Sequence, residues 1–213
     1  MSEELSDLVS FCRDAKKSDF SPVGCTVKGG LNRCKLFWEA SLSPSPFASS
    51  IVNEGYSLLF IELPPPCCLR NNRSALRNSQ FVESAILELL TQGLIREVTT
   101  PPHCVNPLTV AEGKKLKLVL DLREVNKYLA KRTFHYEDLR SLSEVFREGF
   151  WFFTWDLKSG YHHVDIFPPH QQYLGFSWSF SGVIEYFCFS VLPFWYLFFS
   201  CQTLLQLECR SKR

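Results

Sequence analysis

Within residues 79–93, apolar side chains recur at Val82, Ala85, Ile86, Leu89 and Leu90, the 3.6-residue spacing of an amphipathic helix. Ser79 is placed to cap its start, and Gly93 suits a left-handed stop. The pattern then shortens: Leu94-Ile95-Arg96-Glu97-Val98 reads as a strand. Thr109-Val110 and residues 116–122 predict two further strands, joined by Glu112-Gly113-Lys114-Lys115 into a hairpin with two lysines in its turn. A second helix is expected within residues 134–149, with Leu139, Leu142, Val145 and Phe146 on one face and Gly149 as its stop. A strand over 173–176, a Ser181-Gly182 turn and a strand over 186–193 follow, with a strand-like alternation between Tyr161 and Asp165 before them.

The N-terminal side is less regular. Leu31, Leu36 and Phe37 lie near helical spacing beside Trp38, and Ser43-Pro44-Ser45-Pro46 forces a loop. Residues 48–54 predict a short helix ended by Gly55, residues 56–63 an extended run, and Pro64-Pro65-Pro66 a polyproline-like exit. Residues 1–30 read as a loosely ordered polar leader.

Composition narrows the function classes. The 213 residues are 46% hydrophobic, enough for a core, and 23 basic against 22 acidic residues give a net charge of +1. There is no global signal for a polyanion partner. Locally there is one: residues 111–147 hold nine Lys/Arg against six Asp/Glu, a surplus of three, which a solvated face would also explain. Nine cysteines, an odd number without C-x-x-C spacing, and no signal peptide at the start favour reduced thiols in an intracellular protein, in cytoplasm or nucleus. The apolar run 187–201 is too short to span a membrane and is broken by Pro193. His103-Cys104 has no further ligands nearby and does not make a metal site.

The stretch with the most chemistry is 150–164, FWFFTWDLKSGYHHV. An aromatic strand delivers one carboxylate, Asp156, to a turn rich in backbone N–H groups, Lys158-Ser159-Gly160, a combination suited to metal and phosphate. A buried hairpin whose Asp bonds its own turn fits the same residues. His162 and His163 read as strand packing rather than as general acids.

This stretch resembles the first catalytic motif of reverse transcriptases. The likeness runs from about Leu31 to Phe194 through several segments in order: the helix-Gly-Ile-strand at 79–98, the Asn106-Pro107 pair before a strand, and KLKLVLDLREVN at 115–126. It is closest to retrotransposon enzymes, DIRS-type and gypsy-like. The fold implied is α+β: a partial right-hand polymerase, fingers plus the N-terminal half of the palm, at 79–194. Residues 31–78 form an extension preceding it. The resemblance implies that Asp156 and the carbonyl of Leu157 hold Mg²⁺ or Mn²⁺ for two-metal nucleotidyl transfer. It implies that Lys117, with Lys114 or Lys115, contacts the triphosphate, supported by Asp121 and Arg123. Ser159 and Gly160 would face the phosphates, and Tyr161 would gate the sugar. The implied partners are an RNA or DNA template-primer and deoxynucleotides. At Lys117 the family usually has Arg, so this chain supplies charge there without a planar fork.

The resemblance stops after Leu192-Pro193-Phe194, where the family continues with Gly. The Y-x-D-D turn that carries the remaining carboxylates does not occur in these residues, nor do a thumb or RNase H domain. Trp195 is encoded TGG and Tyr196 begins with T, so dropping one base yields Gly, then Ile or Thr, as the family pattern requires. Residues 195–213 are therefore expected to be a frameshifted tail. Three readings follow: an inactive fragment of an RNA-directed DNA polymerase, a non-catalytic nucleic-acid-binding or interaction protein, or a chain too incomplete to fold stably.

Overall fold

The computed structural model describes residues 30–42, 44–130 and 160–193. The expected leader before residue 30, the helix within 134–149, the strand bearing Asp156 and the tail after 193 lie outside the described residues.

Two sheets organise what is described, in a mixed α+β architecture. Five strands lie in the order β1 (Cys67–Cys68), β3 (Cys104–Val105), β6 (Gly175–Phe180), β7 (Val183–Phe189), β2 (Ile95–Val98). The first two neighbour pairs run parallel and the last two antiparallel. β4 (Leu108–Ala111) and β5 (Lys117–Leu120) form a separate antiparallel pair.

The β6–β7 hairpin turns on two residues, Ser181 at φ 51° and Gly182 at φ 90°, with Phe180 opposite Val183. Positive φ at both central positions matches the right-handed twist of the strands. Its inner face supplies the largest buried rings, with Phe176 stacked on Phe187 at 5.2 Å between centroids and Phe189 beside them.

Among the described residues, three α-helices of five or more residues pack around the sheets: α1 (Pro46–Glu54), α2 (Arg73–Arg77) and α3 (Ser79–Thr91). α1 is capped by the Ser45 hydroxyl, which accepts from the Ala48 N–H, and Pro46 sits in its first turn. Gly55 ends it at φ 90°, where a Cβ would meet the backbone of residues 165–167 at 2.8–3.0 Å. α3 buries Val82 and Ile86 and ends as predicted at Gly93, φ 69°. There the Leu94 N–H reaches the Leu89 carbonyl and the Gly93 N–H the Leu90 carbonyl, the paired bonds of a glycine-terminated helix.

Residues 56–63 make only isolated bridges, Tyr56 to Ile166 and Phe60 to Leu129. Three expectations change. Ser79 is the first helical residue rather than the cap, and the flanking Asn78 makes no side-chain cap, its amide donating to the Ser74 carbonyl. Residues 31–40 are helical but not one regular helix: two short α-helices, Gly30–Arg33 and Lys35–Phe37, lead into a π segment, Trp38–Leu42. The alternation after Tyr161 is not a strand: Gly160–His163 is a 3₁₀ turn, and pairing begins only at Asp165. The Val164 N–H closes this turn on the Tyr161 carbonyl at 3.1 Å, an i→i+3 bond that the tighter 3₁₀ winding provides.

Residues from every region share one core, in which Ile51, Tyr56 and Leu58 of the extension join Val82, Leu94, Phe176 and Phe187. Among the described residues, no helix is long and apolar enough to cross a membrane.

Candidate nucleic-acid interface

The site begins with alternation along a short hairpin. Leu108, Val110 and Leu120 point inward and are buried, in the register Leu108↔Leu120 and Val110↔Leu118. The opposite side faces solvent, and the connecting residues 112–116 are all exposed. Lys114 and Lys115 thus stand at the tip, and Lys117, also exposed, opens β5 opposite Ala111. The sequence-predicted basic hairpin is present, its first strand longer than the expected pair Thr109-Val110 and its second shorter than the expected 116–122.

At its foot the chain builds a polar cluster. The Arg123 guanidinium donates to both oxygens of Asp121, Nε at 2.9 and 3.1 Å and Nη2 at 2.6 Å. The Arg123 backbone N–H adds a further bond at 3.2 Å. Arg123 beside it holds the Asp121 carboxyl below the usual carboxylate range, against a smaller opposing effect of burial. Asp121 in turn raises the Arg123 pKa. The carboxylate is well shielded at 12% exposure, while the guanidinium is 84% exposed and keeps donors free for another acceptor.

Two asparagines set the position of this foot. Asn71 accepts from the Leu108 N–H at 2.8 Å, and Asn72 donates its own backbone N–H to the Leu108 carbonyl at 3.0 Å. The Asn72 amide also reaches the Thr109 hydroxyl and, at 3.4 Å, Asp121. Neither asparagine is among the residues predicted from the sequence. The available signal was only two tandem amides ahead of a helix, whose partners are more than thirty residues away. The cluster lines a hollow of about 510 Å³ with Asn126, whose buried side-chain oxygen has no hydrogen-bond partner. Anionic or donor-bearing ligands would find charge at its rim and an acceptor within.

Of the second predicted group, only Gly160 and Tyr161 fall among the described residues. Gly160 and Tyr161 lie in the 3₁₀ turn, with Tyr161 half-buried against the core. The turn leads into residues 164–166, which bond to 190–192: Leu192 N–H to the Val164 carbonyl and Ile166 N–H to the Ser190 carbonyl, each at 2.9 Å. Burial, and secondarily the charge of His163, pushes the His162 pKa down. Asp156, Leu157 and Ser159 lie outside the described residues, so their expected metal and phosphate roles stay as sequence expectations. Among the described residues no cluster of three or more His, Cys, Asp or Glu could hold a metal ion.

No family model matches the chain, and no curated protein matches it. Solved structures similar to it include the foamy viral protease-reverse transcriptase in complex with dsDNA, at 21% identity and a TM-score of 0.45 over 68% of this chain and 28% of that one. A prototype foamy virus protease-reverse transcriptase mutant is similar at 22% identity and a TM-score of 0.49, over 67% of this chain and 19% of that one. The dRH form of the foamy viral enzyme with dsDNA gives 19% identity and a TM-score of 0.46, over 71% and 26%. This chain therefore spans between 19% and 28% of the length of those enzymes. Likeness at this level decides neither lineage nor activity.

Proposed function

We propose that this chain is a part of an RNA-directed DNA polymerase of retrotransposon origin, DIRS-type or gypsy-like, and that the β4–β5 hairpin is its phosphate-binding element. The supporting observation is the hairpin itself. Lys114, Lys115 and Lys117 are carried on an exposed two-stranded arm whose foot is pinned by Asp121, Arg123 and Asn72. A polymerase must neutralise phosphates on an incoming deoxynucleotide and on its template-primer, and basic groups on an arm with a fixed foot can do so without disturbing the core. Lysines there act as point charges; the exposed Arg123 fork adds directional donors.

In this reading Asp156 and the Leu157 carbonyl would hold Mg²⁺ or Mn²⁺, which activates the attacking hydroxyl and steadies the leaving group. Ser159 and Gly160 would offer N–H groups to the phosphates, and Tyr161 would discriminate the sugar. These 213 residues include no Y-x-D-D turn, so by themselves they bind nucleic acid without extending a primer. The protein would act inside the cell, in cytoplasm or nucleus.

The direct test combines two assays on the 213-residue chain. Fluorescence anisotropy with a labelled RNA–DNA template-primer is expected to show binding that weakens steeply between 50 and 200 mM salt, with little sequence preference. A primer-extension assay with deoxynucleotides and Mg²⁺ is expected to show none. Salt-independent binding, or none, would sink the phosphate-binding reading; extension would overturn the inactivity.

A further inference from the structure

Away from the hairpin, two thiols stand side by side. β1 and β3 pair in parallel with Cys67 directly opposite Cys104. In-register neighbours project to the same face of a sheet. Cys67 is near enough to act on the ionisation of the Cys104 thiol, which also approaches the Pro65 carbonyl at 3.8 Å. Cys104 is fully buried, whereas Cys67 is half-buried. Cys67 lines an open hollow of about 370 Å³ with Pro66, Pro101, Pro102 and His103. Cys68, the next residue, is exposed and sits opposite Val105 instead.

We propose that Cys67 and Cys104 form a reversible disulfide, a redox-controlled staple between the strap 64–72 and the central sheet. Adjacent strands run about 4.8 Å apart, inside the Cα separation of about 4.4–6.8 Å that disulfides span. β1 is a two-residue edge strand leaving a triple-proline segment, so a small inward shift of Cys67 disturbs few other bonds. The strap is worth controlling because it carries Asn71 and Asn72 to the foot of the basic hairpin.

The chemistry has a direction. A low-molecular-weight disulfide is the oxidant. It reaches the hollow, and the Cys67 thiolate attacks one of its sulfurs, releasing one small thiol and leaving a mixed disulfide on Cys67. Cys104 then gives up its proton, and its sulfur attacks the Cys67 sulfur, expelling the second small thiol. Two protein thiols have lost two electrons and two protons, and one small disulfide has become two thiols. Burial pushes the Cys104 thiol up to about 12, so it is a poor first nucleophile and acts as the resolving partner.

The experiment treats the full chain with oxidised glutathione, quenches with acid and an alkylating reagent, and maps peptides by mass spectrometry alongside a thermal melt. The expected product is a Cys67–Cys104 linked peptide lighter by two hydrogens and reversed by dithiothreitol. It should melt at least about 4 °C higher than the reduced chain. Cys67→Ser should abolish link and shift, while Cys68→Ser should keep both. Glutathione held on Cys67 without conversion to the linked peptide, a link through Cys68, or a link that leaves the melt unchanged would each overturn the proposal.

Discussion

The two sheets differ in what they do with the same secondary structure. The five-stranded sheet buries the side chains at its centre, where Phe176, Phe187 and Val105 are almost wholly buried, and its strands come from segments far apart along the described chain. The β4–β5 pair buries only one face, uses a local turn, and puts three lysines into solvent. One region holds the fold through apolar area and close backbone approach; the other presents charge on an arm that the fold tolerates at little cost. If this division is right, substitutions in the first should change stability and leave binding per folded molecule alone, and those in the second should do the reverse.

The largest effect should come from Phe187→Ala. The ring is fully buried, stacked on Phe176 and edge-on to Phe180. Its removal is expected to cost about 3–5 kcal/mol of unfolding free energy, measured by urea titration. A loss under about 1 kcal/mol would mean that the sheet is not the organising core.

Next is Gly175→Ala. A Cβ there would run into the Pro102 ring and stand 2.8 Å from the Cys104 carbonyl. Gly175 begins β6 at the point where the fully buried Asn106 clamps two segments. Its amide donates to the Tyr173 and Gly175 carbonyls, each at 3.0 Å, and more weakly to Cys104. Overpacking of this kind typically costs about 1–3 kcal/mol, and the same titration reads it. An unchanged midpoint would show that the crowding relaxes freely.

These positions also mark what the sequence could and could not tell. The helix at 79–91, its glycine stop and both hairpins were legible because periodicity and turn chemistry act within a few residues. The Asn106 clamp, the Asn72–Asp121 contact and the Cys67–Cys104 pair were not, since each depends on segments brought together across the sheet. Lys114, Lys115, Lys117, Asp121 and Arg123 were named through the family resemblance, and the structure adds the bonds that tie Arg123 and Asn72 to Asp121. The 3₁₀ turn at 160–163 was misread as extended because aromatic and histidine residues carry no strong local preference against strands.

A smaller, pH-dependent effect separates the regions again. His170 sits in the core region, ringed by Phe60, Phe167 and Tyr173, and its Nδ1 accepts from the Leu58 N–H at 2.9 Å. Burial lowers its pKa below the usual value of 6.5. The unfolded chain then binds the proton more readily, so stability is full above about pH 6.5 and falls as the pH drops towards the folded-state value. His162 acts in the same direction. Comparing wild type with His170→Asn, which keeps an acceptor near Nδ1 but does not titrate, isolates the contribution. Parallel pH–stability curves for the two proteins would remove it.

The smallest effect on stability should belong to the arm. Lys114 and Lys115 are exposed at the tip, where side-chain truncation ordinarily changes stability by no more than about 0.5 kcal/mol. The Lys114→Ala, Lys115→Ala double variant should therefore unfold like the wild type while binding template-primer more weakly at low salt. Each phosphate left without its lysine should reduce the slope of log affinity against log salt by about one. Because folding is unchanged, the weaker binding can only come from charge that no longer meets phosphate. Phe187→Ala supplies the opposite control, with low stability but an unaltered salt slope for the fraction that remains folded. Should the double variant keep the wild-type slope, the arm would be a solvated edge whose lysines merely discourage strand-to-strand aggregation.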